Sequence, residues 1–81
     1  MGPFNILVTA SRACQALEIY REALEPEGCR LVVHPPAIER HSDEQLLPLI
    51  CGIDGIICGD DRITERVFEA APRLRVVAKW G

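Results

Sequence analysis

Residues 54–79 read DGIICGDDRITERVFEAAPRLRVVAK, and the apolar runs at the two ends of this stretch, Asp54 to Cys58 and Leu74 to Lys79, decide how the rest of the chain is read. In both, apolar residues stand back to back instead of alternating with polar ones, as in strands covered on two faces. Between them Thr64 opens a helix with Glu65 near the positive end of its dipole. Val67, Phe68 and Ala71 fall on its inner side, and Pro72 stops it. A connection of this length forces the two strands to pair in parallel.

Upstream, the same strand character recurs in Phe4 to Thr9 (FNILVT) and Cys29 to Val33 (CRLVV). Ala13, Ala16, Leu17, Tyr20, Ala23 and Leu24 lie between these two runs at spacings of three and four, which places them on one helical face. Glu18, Arg21, Glu22 and Glu25 take the other side, and Gly28 supplies a stop in the left-handed conformation. Ser42-Asp43-Glu44-Gln45 has the form of a capping box, after which Leu46, Leu47 and Ile50 face inward. Pro48 is tolerated where its missing N–H falls in the first turn, so this helix is placed at Asp43 to Cys51 with room for a kink.

The order is therefore β-α-β-α-β-α-β, an α/β fold for which the right-handed crossover rule leaves few topologies, and of these the parallel sheet in the strand order 2-1-3-4 is expected. In that order the first helix covers one face and the other two cover the opposite one. The first face is left bare over the third and fourth strands. Such an apolar strip calls for another helix, a second domain or a second copy, and self-association is expected.

The chain has 81 residues and a mass of 9.0 kDa, enough for one small domain, residues 1–81, or a piece of one, and too little for separate cofactor and substrate domains. An apolar share of 48% with 26% charged residues fits a globular protein and not a disordered one. A net charge of -3 with scattered Lys and Arg provides no footprint for nucleic acid or an anionic membrane. Runs such as Ile6-Leu7-Val8 are far short of the roughly 20 residues that span a bilayer, and no secretory leader opens the chain. The expectation is a soluble, cytoplasmic protein. Of the four cysteines, Cys14, Cys29, Cys51 and Cys58, three sit in apolar periodic segments without C-x-x-C spacing, and all are expected as reduced thiols and not zinc ligands.

Open parallel sheets bind ligands beyond the carboxyl ends of their strands where the order reverses, here between the first and third strands. After the first comes Thr9-Ala10-Ser11-Arg12, where Ser11 caps the next helix and Arg12 stands ready for solvent, a carboxylate or a phosphate. After the third comes Gly59-Asp60-Asp61-Arg62, whose glycine permits close backbone approach. Its acids can bind a cation, orient an amine or cap the following turn. A loop this polar shows no sign of the desolvated acid that proton-transfer chemistry needs. Trp80 and Gly81, after the fourth strand, border the same crevice, the tryptophan more as packing than as a platform. His34 and His41 read as surface histidines. No G-x-G-x-x-G, P-loop, H-E-x-x-H or G-x-S-x-G is present, so the residues by themselves describe an α/β module with a crevice and no catalytic machinery. A phosphoacceptor role through Asp60 or Asp61 with Lys79 lacks the acidic pair that must follow the first strand to hold magnesium.

Asp54-Gly55-Ile56-Ile57, then Ile63-Thr64-Glu65-Arg66-Val67, then Ala70 through Gly81, AAPRLRVVAKWG, resemble the N-terminal portion of D-isomer-specific 2-hydroxyacid dehydrogenases, nearest to the phosphoglycerate dehydrogenase branch. The resemblance is strongest over residues 54–81. It implies a partial flavodoxin-like (Rossmann-like) three-layer fold, the opening stretch of a substrate-binding domain whose NAD-binding domain is not in this chain. It also implies a small 2-hydroxy or 2-oxo acid as ligand of the parent enzyme and NAD(H) as the parent's cofactor, with none held by these residues. In that family the turn after the third strand, often Arg-Ser, and the amides around the glycine after the fourth hold the substrate carboxylate. The matching positions are Gly59, Asp60, Asp61, Arg62, Trp80 and Gly81, with Ser11 and Arg12 alongside. Gly-Asp-Asp replaces the Arg-Ser pair, and Arg62 is the cation nearest that place. The family's catalytic residues have no counterpart here, so the 81-residue chain alone is expected to be inactive. The other reading is a cofactor-free binding or regulatory module of the same fold.

Overall fold

A computed structural model describes residues 3–34, 41–59, 61 and 63–79, with the backbone but not the side chain of Ser11. Strands β1 (Phe4–Val8), β2 (Cys29–Val33), β3 (Gly55–Cys58) and β4 (Val76–Lys79) form one parallel sheet in the order β2-β1-β3-β4. β1 and β3 are the inner strands and the most apolar ones, which is why they tolerate cover on both faces.

Side chains alternate along each strand, so the register sorts them into two clusters. Leu7 and Ile56 pair side by side and point to one face, where they meet Leu46 and Ile50 of α3 (Asp43–Ile50) and Val67 of α4 (Glu65–Glu69). Ile6 and Val8 point to the other face, against Ala13 of α1 (Ser11–Gln15) and, less tightly, Tyr20 and Leu24 of α2 (Leu17–Leu24). Every residue of β4 is exposed. Val76 and Ala78 lie beside Gly55 and Ile57 on the α1–α2 side, where Val76 is 52% exposed. Gly55 is buried, however, and Ile57 packs partly against the α1–α2 cluster, so the strip expected to be bare over the third and fourth strands is open over β4 alone, whose Val77 is exposed on the other face as well.

The first helix departs from expectation. It breaks at Ala16 (φ -105°, ψ 29°), whose amide is shared between the Arg12 and Ala13 carbonyls while that of Ile19 turns to the Ala16 carbonyl three residues back, and it ends in a 3-10 turn, Glu25–Glu27. No glycine or proline marks that break, and α2 has no fully buried residue; Ala23, expected inside, is exposed. Ala10, not Ser11, occupies the N-cap of α1, and no side chain caps it. Gly28 does stop the segment, at φ 90°.

In α3 the capping box forms as expected: the Ser42 hydroxyl accepts from the Gln45 amide at 3.2 Å, and the Gln45 side chain accepts from the Ser42 amide at 2.8 Å. Pro48 sits in the helix interior, past the first turn, at the loss of one backbone bond. Leu49, not Leu47, packs against the core beside Leu46 and Ile50. Phe68 of α4, read as inward, is half exposed; α4 is a single short turn, and Val67 and Ala71 fill the space beneath it. Ser42→Ala removes the acceptor of one first-turn amide, and its expected cost is about 1 kcal/mol in urea unfolding.

The amino ends of the strands are closed by Asp54, which is buried. Its carboxylate accepts from the Asn5 amide at 2.8 Å and the Arg73 Nε at 3.2 Å, and its carbonyl accepts from the Arg75 amide at 2.7 Å. A groove of about 720 Å³, lined in part by Phe4, Gly28, Arg73 and Arg75, opens at this edge.

Candidate functional site

At the opposite edge, the chain leaving β1 stays against β3: the amides of Thr9 and Ala10 both donate to the Ile57 carbonyl, at 2.9 and 3.2 Å. This holds the Thr9 side chain inward, 1% exposed, beside the turn that follows β3. His41, the residue before the Ser42 cap, is carried to the same place by the packing of α3, and it is buried.

These segments converge on Asp61. One carboxylate oxygen accepts from the Thr9 hydroxyl at 2.5 Å and from the Gly59 amide at 3.4 Å. The other faces His41, at 2.6 Å from its amide and 3.2 Å from Nδ1. The Asp61 side chain is 1% exposed. A charge so enclosed is tolerated because donors from three separate segments replace its water. As a carboxylate it only accepts, so the ring nitrogen facing it carries the hydrogen, and a neutral His41 is held in the Nδ1–H tautomer.

Two sequence expectations change here. His34 is exposed, but His41 is not a surface histidine. The polar turn does contain a desolvated acid, Asp61, because its neighbours in space come from β1 and the approach to α3. Of the eight predicted site residues, Gly59 and Asp61 meet at this point, and Arg12 stands exposed on α1. The Ser11 side chain, Asp60, Arg62, Trp80 and Gly81 lie outside the described residues. Thr9, which the sequence places in the segment after the first strand without a role of its own, supplies the hydroxyl that bonds Asp61. Nothing local marks His41 as a partner of an acid twenty residues away.

Two thiols border the buried charge. Cys14 points to the Val8 carbonyl, and burial first, then the Asp61 charge, pushes its pKa up. Cys58 is pushed up for the same reasons, against a smaller opposing pull from a backbone hydrogen bond and Lys79. All four cysteines are free thiols. Cys51, exposed, should take up iodoacetamide first, and Cys14 and Cys58 last, as read by mass spectrometry of timed digests. A raised thiol pKa means that the folded chain keeps a proton the unfolded chain gives up. The stability involved is therefore complete below the ordinary value of 9.0 and declines as pH rises through it, which urea midpoints between pH 8 and 10.5 would show.

The site has no cradle for a dinucleotide. The first amides after β1, which would face a pyrophosphate, are both spent on Ile57, and the turn carries no glycine. Among the described residues no three His, Cys, Asp or Glu side chains gather as metal ligands do, and no helix is long and apolar enough to cross a membrane. No family model matches the chain, and no curated protein or solved structure is found to be similar to it.

Proposed function

We propose that this chain is the N-terminal, substrate-binding part of an NAD-dependent D-2-hydroxyacid dehydrogenase of the phosphoglycerate dehydrogenase-like branch, with the partial flavodoxin-like, three-layer arrangement that this implies. The observation that carries the reading is the position of the turn after β3. It lies at the carboxyl edge where the order β2-β1-β3-β4 reverses, and its Asp61 is pinned to both neighbouring segments. A turn so anchored holds the Gly59 amide and Asp61 in one fixed geometry, and the binding of a small carboxylate demands such fixed backbone.

Asp61 is the internal strut of that turn and not a contact to the ligand, since its oxygens are occupied from within. In this reading the acid is held by Gly59, the adjoining turn residues including Arg62, and the Trp80-Gly81 segment, with Arg12 at the rim. Hydride transfer needs a nicotinamide, an acid or base at the hydroxyl and a cation on the carboxylate. These residues supply part of the last alone, and the cofactor belongs to a further domain. Strand β4, exposed along its length, is the surface for that domain or for a second copy of the chain.

Pure 81-residue chain should therefore show no NAD(H)-dependent turnover of D-2-hydroxy acids; measurable turnover would refute the assignment of roles. The gene supplies the direct test. A frame running on from the Gly81 codon into a glycine-aspartate segment and a later G-x-G-x-x-G supports the proposal, and an immediate stop codon sinks it in favour of a cofactor-free binding module.

A further inference from the structure

One face of the sheet is unevenly covered. Ile6 and Val8 lie beneath α1 and α2, while Val76 and Ala78 of β4, on the same side, are exposed. The covering helix is itself incompletely used. α2 has no fully buried residue, and Ile19, Ala23 and Pro26, spaced by four and three, stand exposed along it and the turn that follows, Ile19 at 68%. Exposed Glu18 and Glu22 flank this stripe. Charge divides the same way. Residues 17–27 hold four glutamates against one arginine, whereas residues 70–79 hold Arg73, Arg75 and Lys79 and no acid.

We propose that this face is an interface with a second copy of the chain, in which α2 of each protomer packs over β4 of the other about a two-fold axis parallel to the strands. Such an axis exchanges the covered half of the face with the open half, so each copy closes the other's gap and the contact is closed and self-complementary. It also preserves height along the strands. α2 returns from the carboxyl edge, where β1 ends, to the amino edge, where β2 begins. Glu18 therefore lies toward the Lys79 end of the opposing β4 and Glu22 toward its Arg75 end, acid to base at both, with Ile19 and Ala23 between them over Val76 and Ala78. Edge-to-edge pairing of two β4 strands would instead bring the cations of both copies together and leave the Ile19 stripe bare. The contact is one helix and one short strand per copy, so the association is weak, with Kd on the order of 0.1 mM, and dilute chain is monomeric with β4 open. The turn after β3 takes no part in it, and its failure leaves the carboxylate reading untouched.

The test is sedimentation velocity of the 81-residue chain from about 1 µM to about 1 mM, with circular dichroism of each variant at the dilute end to show that the exposed substitutions leave the fold intact. Wild type should pass from monomer to dimer. Glu22→Arg and Arg75→Glu should each weaken dimerisation at least about tenfold, since either places like charges against each other twice in the dimer. An equimolar mixture of the two variants should regain nearly wild-type association, because α2 and β4 of opposite sign then meet at both contacts. Ile19→Lys should abolish the dimer. A wild-type chain that stays monomeric at about 1 mM overturns the proposal. So does a mixture no stronger than the separate variants, and so does tighter association of Arg75→Glu alone, the result expected of paired β4 edges.

Discussion

Asp61→Ala should cost about 3–5 kcal/mol, a large share of the roughly 4–12 kcal/mol that a domain of this length has in total. The substitution takes one acceptor away from four donors: the Thr9 hydroxyl, the Gly59 amide, the His41 amide and the His41 ring. With the side chain 1% exposed, water cannot enter to replace it without opening the turn. Asp61→Asn keeps the shape and one accepting oxygen, and should cost about 1–3 kcal/mol. Urea unfolding followed by circular dichroism reads both. An alanine variant within about 1 kcal/mol of wild type would mean that the carboxylate is solvated and not a strut.

The second large effect is expected at Leu7→Ala. Leu7 is fully buried at the middle of an inner strand, where it shares a cluster with Leu46, Ile50, Ile56 and Val67. Neighbours on both the sheet and α3 cannot collapse into the space, so the loss should be about 3–5 kcal/mol. Val76→Ala, on the exposed edge strand, removes atoms that already face water, and should change stability by less than about 0.5 kcal/mol. Comparable losses at the two positions would contradict the division into a packed inner pair and an open edge. A large loss at Val76 alone would indicate that the strand is covered in solution.

The parallel sheet and its order could be read from residues alone because the signals are local and redundant. Four apolar runs alternate with three helical segments, and the crossover rule narrows that alternation to a few parallel topologies, among them the observed 2-1-3-4. The capping box at Ser42 was equally legible, since cap and partner lie three residues apart. The break at Ala16 was not, because alanine favours an unbroken helix and the turn tightens only through two rearranged amide bonds. Phe68 misled because spacing places it on an inner face that a helix of a single turn does not extend far enough to bury.

For the site, the crevice between β1 and β3 and the Gly59 and Asp61 positions follow from topology. The burial of Asp61 does not. It depends on a histidine twenty residues upstream and a threonine fifty-two residues upstream, brought to it by separate elements. The local composition Gly-Asp-Asp-Arg describes a wet loop, and only the three-dimensional arrangement turns one of its acids inward.

The two edges of the sheet make different claims on a ligand. The groove at the amino edge is a sizeable opening, yet its most enclosed polar group, Asp54, is committed to Asn5 and Arg73. The decisive measurement is a residue-by-residue ¹H–¹⁵N NMR titration of the 81-residue chain with D-lactate. The account predicts shifts confined to Thr9 through Arg12, His41, Gly59 through Arg62, and Trp80 and Gly81. Shifts at Phe4, Gly28, Arg73 and Arg75 instead, or none at any amide, would contradict it.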